Sequence, residues 1–192
     1  MHQSDLRQGN LFVVSGPSGA GKGTLVAHLL QELPDAWVSV SVTTRKPRKD
    51  EIEGKQYFFV DDAHFDALIE QDALLEWAYV YGGCRYGTLR KTVEEHIACG
   101  QQVILEIDVQ GAFQVKEKMP AAHLVFIEPP DLTVLEKRLR GRGTETQEMI
   151  EKRLDTAKVE LSQKMEYDVR LINDDLDEAV AELVSFINEC AD

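Results

Sequence analysis

Cysteine is scarce. The three present, Cys84, Cys99 and Cys190, are odd in number and show none of the close spacings that hold a metal. This argues against a disulfide framework and fits unpaired thiols in a reducing compartment. Long apolar runs are also missing: no stretch approaches the ~18 residues a membrane span requires, and the opening MHQSDLRQGN has no apolar segment behind a basic one. Basic residues are outnumbered, 21 Lys and Arg against 34 Asp and Glu, for a formal net charge of −13. Such a field repels nucleic-acid backbones and anionic membranes, so neither is an expected partner, and any anionic ligand needs a locally basic site. The expected location is the cytoplasm. Internal repeats and low-complexity tracts are absent as well. What the chain does have is 43% hydrophobic and 29% charged residues, the composition of a chain that folds. A length of 192 residues suits one globular unit carrying inserted subdomains.

The apolar run at 11–15, closed by a glycine-rich turn, reads as a buried strand of a parallel sheet. A helix follows over 22–33, with Leu25, Val26, Leu29, Leu30 and Leu33 at helical spacing and Pro34 ending it. Residues 37–42 read as a second strand, after which the basic, proline-containing stretch 43–49 leaves the main sheet. Closely spaced aromatics over 56–93 predict a small mixed insertion. The α/β alternation then resumes, with strands at 102–108, 123–127 and 169–172, as in a wound sheet. The final helix has the clearest stripe, Leu176, Ala179, Val180, Leu183, Val184 and Ile187, with Asp175 and Glu178 at capping-box spacing. Between Leu132 and Met165 two helical stretches flank a glycine- and arginine-rich joint at 140–144.

Three features carry chemistry. Gly16-Pro17-Ser18-Gly19-Ala20-Gly21-Lys22 lies between the first strand and the first helix, the context of a phosphate-binding loop. There the backbone N–H groups and the helix N-terminus face phosphate oxygens, and Lys22 adds a mobile ammonium. Gly23 stands where Ser or Thr usually holds a metal, and Thr24 comes next as the candidate metal contact. Second, Asp108 closes the strand 102–108 with Glu106 two positions earlier. It reads either as a carboxylate near the nucleotide's metal or as a helix cap. Third, arginines form two groups, Arg45 and Arg48 in one loop and Arg138 and Arg142 at the second joint, with Arg153 farther along. Within a chain of net charge −13, such groups can hold a phosphate locally. The five histidines, His2, His28, His64, His96 and His123, are scattered and read as structural.

The stretches VVSGPSGAGKGTL (13–25), VSVSVTTRKPR (38–48), GKQYFFV (54–60), LLEWAYVYGGCRYGT (74–88), ILEIDVQGA (104–112), RLRGRGTET (138–146) and VRLINDDLDEA (169–179) closely resemble the guanylate kinases. The resemblance implies an α/β fold: a P-loop parallel sheet core flanked by helices (10–42, 94–135 and 165–190), a small mixed GMP-binding insertion (43–93) and a helical lid (about 136–164), all in one domain. It implies transfer of the γ-phosphoryl group of ATP to GMP, giving ADP and GDP, with Mg2+ required. ATP would lie on residues 16–24, that is Gly16, Pro17, Ser18, Gly19, Ala20, Gly21, Lys22, Gly23 and Thr24, with Asn173 near the adenine. The GMP phosphate would meet Arg45, Arg48, Tyr57 and Tyr86. Guanine would meet Ser41, Glu76 and Thr88, beside Gly87, while Glu106 and Asp108 lie close to GMP and the metal. Lys22, Arg45, Arg138, Arg142 and Arg153 would align and stabilise the transferring group. Glu76 makes chemical sense in that role, because one carboxylate can accept from two adjacent guanine donors, whereas adenine offers an acceptor at N1.

The pattern departs from the family at a few places. Gly-Thr after Lys22 is more familiar from adenylate kinases, Val42 replaces a serine of some relatives, and residues 82–85 replace a common Asn-Tyr pair. Alternatives from the sequence are a kinase for another nucleoside monophosphate and a non-catalytic interaction module. Intact Ser41, Glu76 and Thr88 speak against the first, and intact Lys22 and arginines against the second. Nothing in the sequence fixes an oligomeric state.

Overall fold

Every residue from Leu11 to Val14 is apolar, so the strand they form needs cover on both faces, and the chain supplies it. In a computed structural model, which describes residues 7–80, 83–141 and 146–191, β1 (Asn10–Ser15) lies at the centre of a five-stranded parallel sheet. Its neighbours are β7 (Gln102–Glu106) and β8 (His123–Glu128), with β2 (Ala36–Val38) and β9 (Val169–Ile172) at the edges. Phe12 and Val14 point into one apolar cluster, with Leu25 and Leu29 of α1 (Lys22–Glu32) and Leu183 and Ile187 of α7 (Leu176–Ala191). Leu11 and Val13 point into the other, with Val93 of α3 (Arg90–Ala98) and Val109, Ala112 and Val115 of α4 (Val109–Lys118). Strand alternation thus divides the core into two layers, the arrangement of a doubly wound sheet. Among the described residues no helix is long and apolar enough to cross a membrane, and the three cysteines are unpaired.

A second, four-stranded sheet has the order β4-β3-β6-β5. It comprises β3 (Val42–Thr43), β4 (Phe58–Phe59), β5 (Leu74–Tyr79) and β6 (Arg85–Leu89), with α2 (Asp62–Glu70) against it. Its own core gathers Val42, Phe65 and Leu74. It is mixed, since β3 runs parallel to β4 and antiparallel to β6. A buried arginine ties it to α2. Arg85 donates to Asp62 Oδ1 at 2.7 Å and to Asp66 Oδ1 at 2.5 Å, and its guanidinium lies 4.7 Å from the centroid of the Phe65 ring. A third cluster, Leu135, Leu139, Ile150 and Ala157, joins α5 (Leu132–Arg140) to α6 (Gln147–Ser162), followed by a short 3-10 turn at Lys164–Glu166.

Two expected strands differ from those observed. Residues 37–42 belong to two sheets: β2 pairs with β7, and β3 with β4 and β6. Between them the partner changes, since Ser39 N–H donates to Ile104 O at 3.0 Å while Ser41 O accepts from Phe58 N–H at 2.9 Å. Apolar alternation cannot report that exchange. The strand expected over 102–108 ends at Glu106, so Glu106 and Asp108 do not share a strand face. Asp108 is the N-cap of α4, its Oδ1 accepting from Gly111 N–H at 2.7 Å. The cap of α7 is as expected, with Asp175 Oδ1 accepting from Glu178 N–H at 3.0 Å.

The α7 stripe should contribute to stability in proportion to its burial. Leu183 is fully buried against the sheet, and Leu183→Ala should lower unfolding free energy by about 2–5 kcal/mol, measured by urea titration. A loss well under 1 kcal/mol would place α7 outside the core.

Candidate active site

Most helices here begin with a side-chain cap: Asp61 for α2, Asp108 for α4, Asp131 for α5 and Thr146 for α6. The first helix does not. Its N-cap is Gly21 in the left-handed region (φ 93°), no side chain caps it, and no acid lies in its first turn. Backbone N–H groups and the positive end of the helix dipole therefore face outward, ready for an anion. Gly21 is required twice over, by its φ and because a Cβ there would strike Nδ2 of Asn173.

The loop is held from behind. Ala20 O accepts from Asn173 Nδ2 at 2.8 Å and from Arg138 Nη1 at 3.4 Å, while Arg138 Nη2 donates to Asn173 O at 3.0 Å. Asn173 is buried. Lys22 folds over the loop, its Nζ donating to Gly16 O at 2.5 Å and Pro17 O at 3.1 Å. Arg153 reaches in from α6 and donates to Ser18 Oγ at 2.8 Å. Around these groups lies a cavity of about 340 Å³ lined by Ser18, Gly19, Gly21, Lys22, Gly23, Thr24 and Glu106. Gly23 faces the Glu106 carboxylate, where a Cβ would make ordinary contact with Oε1 at 3.4 Å.

A second cavity, about 330 Å³, opens toward the small sheet, lined by Ser41, Tyr57, Glu76, Tyr86, Glu106 and Asp108 among others. An adjoining recess of about 160 Å³ adds Ser39 and Thr88. Glu106, at the carboxyl end of β7, borders all three spaces. At one side of the larger cavity Arg45 donates through Nε to Tyr86 Oη at 3.0 Å, and its guanidinium sits 5.2 Å from the Tyr57 ring centroid. Glu51 grips the same guanidinium with both oxygens, at 2.7 and 2.9 Å, and also accepts from Arg48 N–H at 2.7 Å. The hydrogen bond from Arg45, then that from Arg48, holds the Glu51 carboxyl down at about 2, and the bonds to Glu51 and then Tyr86 raise Arg45 against the opposing cost of desolvation. The Arg48 side chain is exposed in this loop.

Glu76 has the opposite environment. It is buried at the back of the second cavity, and Thr88 Oγ1 donates to its Oε1 at 2.6 Å. Burial pushes its carboxyl up to about 7, with Asp108 adding to the rise and Thr88 and Lys118 opposing it. Gly87 makes the strand pairing possible at this point, since a Cβ would lie 2.9 Å from Glu76 O.

The structure thus gathers Lys22, Thr24 and the loop round one cavity, and Ser41, Arg45, Tyr57, Glu76, Tyr86 and Thr88 round the other. Arg138 and Asn173, expected at the reacting group and the adenine, both donate to the loop carbonyl of Ala20, and Arg138 also donates to the Asn173 carbonyl. Arg142 lies outside the described residues. Glu51, Arg85 and Gly111 escaped the sequence reading. An acid six positions after Arg45 was the available signal for Glu51. For Gly111 it was a glycine in the first turn of a helix, which marks close approach by another group. A groove of about 550 Å³ between α1 and α7, lined by His28, Glu32, Val180 and Val184 among others, is larger than either cavity but contains none of the phosphate-loop residues.

Residues 8–190 match the family model described as guanylate kinase. The chain is 54% identical to a guanylate kinase of Streptomyces kasugaensis over 92% of its own length and 86% of that protein's. To one of Thermobifida fusca (strain YX) it is 51% identical over 92% and 90%. A crystal structure of guanylate kinase from Anaplasma phagocytophilum superposes with a TM-score of 0.74 at 32% identity, covering 96% of this chain and 90% of that one.

The account of Glu76 predicts a pH-dependent stability. Its folded-state value lies above the ordinary 4.5, so the protonated carboxyl stabilises the fold at low pH and that stability is lost as pH rises through about 7. Glu76→Gln should melt several degrees above wild type at pH 8 and within about a degree of it at pH 4. Equal melting temperatures at pH 8 would mean that the buried charge costs nothing.

Proposed function

The chain belongs to the guanylate kinase family and phosphorylates GMP with ATP, and we propose that its two cavities are the donor and acceptor halves of a single site. The observation that carries this reading is that Glu106 borders both, so a phosphate on the loop and one beside Arg45 would face each other across one carboxylate. The γ-phosphoryl group then passes directly from ATP to GMP, leaving ADP and GDP.

On this reading Gly16 to Thr24 cradle the phosphates of ATP. Lys22 leaves the Gly16 and Pro17 carbonyls to follow the transferring group as a point charge. Arg45, already oriented by Glu51 and Tyr86, takes the GMP phosphate together with Arg48 and Tyr57, so little side-chain order remains to be created on binding. Ser41, Glu76 and Thr88 read the guanine edge. Arg138 and Asn173 act on the loop's shape, and Arg153 links the lid to Ser18; Arg142 is assigned to the same lid. The separate apolar clusters support a core, an acceptor insertion and a lid, but they move two of the expected bounds (core 10–42, 94–135 and 165–190, insertion 43–93, lid about 136–164): Val42 packs in the insertion's cluster and Leu135 in the lid's, because strand β3 and helix α5 each stay whole.

As an ATP-utilising kinase the protein uses a divalent metal, and we assign Mg2+. The Thr24 hydroxyl and Glu106 carboxylate fit it as hard oxygen donors on the donor cavity. Among the described residues no cluster of three His, Cys, Asp or Glu is arranged to hold a metal, which suits an ion brought in by the nucleotide. When bound, it neutralises phosphate charge. Unpaired cysteines fit the cytoplasm.

Lys22→Ala should lower kcat at least about a hundredfold with an unchanged melting profile, whereas Arg45→Ala should raise KM for GMP at least about tenfold and leave KM for ATP nearly unchanged. Steady-state kinetics with each substrate varied separately check both. Near-normal turnover of Lys22→Ala would remove the loop lysine from the mechanism, and a parallel rise in both KM values would remove Arg45 from the acceptor half.

A further inference from the structure

Glu76 is a carboxylate with few supports. It is 6% exposed, and Oε1 takes a hydrogen bond from the neutral hydroxyl of Thr88. Its other oxygen lies against the first turn of α4, where a Cβ on Gly111 would stand 3.1 Å from Oε2 and 3.4 Å from Asp108 Oδ1. Gly111 therefore eases the approach of Glu76 Oε2 to the α4 cap, where Asp108 Oδ1 accepts from Gly111 N–H at 2.7 Å. Other ionisable groups around the cavity are Glu106, Tyr57 and Tyr86, with Arg45 at its side, its guanidinium held by Glu51 and Tyr86. The cation within electrostatic reach, Lys118 near the far end of α4, is bonded elsewhere, donating to Asp72 Oδ1 and Leu74 O, each at 2.7 Å. A buried acid with a neutral partner, a nearby like charge and no directly bonded cation among the described residues is poised to hold its proton near neutral pH.

The two protonation states present different surfaces to a purine. The ionised carboxylate is acceptor only and matches the donors of guanine, N1–H and the 2-amino group. The protonated carboxyl carries one O–H donor and matches the N1 lone pair of adenine. The hydroxyls of Ser41 and Thr88 can donate or accept, so they follow either base. On the acceptor assignment made above, we propose that the proton on Glu76 selects the purine: ionised, the site phosphorylates GMP, and protonated, it phosphorylates AMP.

The test is the ratio of kcat/KM for GMP to that for AMP between pH 6 and 8. Ionisation of the 5′-phosphate is common to both acceptors and cancels in the ratio, and neither base titrates in this range. Because each acceptor reports one protonation state, the ratio should rise about tenfold per pH unit. Glu76→Gln, which carries a donor at every pH, should give a ratio independent of pH. A wild-type ratio constant within twofold, with GMP still phosphorylated, overturns the proton switch and leaves the GMP kinase reading standing. Absent AMP phosphorylation at pH 6, or a slope that survives in Glu76→Gln, also overturns the switch. Failure to phosphorylate GMP at any pH would overturn the acceptor assignment beneath it.

Discussion

The hydrogen bonds to the carbonyl oxygen of Ala20 are the contacts on which the rest depends. A phosphate loop works only if its N–H groups turn toward the ligand, which turns its carbonyls back into the protein, where they need donors. Asn173 and Arg138 supply them from segments more than a hundred residues away. The amide of Asn173 occupies the space that a side chain at Gly21 would need, so the loop conformation and the C-terminal half of the sheet are fixed together. Arg138 belongs to α5, so the same carbonyl connects the loop to the α5–α6 pair. The first helix can then begin without a cap and offer its N-terminus to an anion, while α2, α4, α5, α6 and α7 begin with carboxylate or hydroxyl caps.

Binding two highly charged nucleotides is a difficult task for a chain of net charge −13. The solution is local. On the proposed donor side the positive potential comes from backbone N–H groups and Lys22, and on the proposed acceptor side from Arg45, whose guanidinium is oriented by the bidentate contact with Glu51. Surface screening would weaken a diffuse basic patch, but groups fixed in a cleft act at short range and lose little. Acidic Glu106 between the halves, with Thr24 nearby, makes a cation a natural third party to the reaction. The buried Glu76 extends the same logic to specificity, since its proton is governed by burial and by Asp108 behind it.

The sequence revealed those features that depend on local pattern. The run before Gly16 and the spacing of Leu25, Val26 and Leu29 define strand, loop and helix because each element buries its own residues. The α7 stripe was legible for the same reason. Residues 37–42 were not, because the exchange of partners at Ser39 to Ser41 is decided by Ile104 and Phe58, far away in sequence. Asp108 offered two readings, and the direction of its carboxylate toward Gly111 N–H was settled only in the folded chain. In the site, the residue types round each cavity followed from motifs and resemblance. Glu51, the contact between Gly111 and Glu76, and the use of Arg138 and Asn173 as loop supports depend on three-dimensional approach, which spacing alone does not encode.

The most direct measurement of the central claim, that donor and acceptor cavities form one GMP-phosphorylating site, is product analysis at pH 8 with ATP, Mg2+ and GMP, AMP, CMP or UMP in separate reactions. The account predicts ADP and GDP in equal amounts with GMP, and at least about a hundredfold slower transfer to the other three acceptors. Comparable transfer to a pyrimidine nucleotide, or ADP formed without a phosphorylated acceptor, would contradict it.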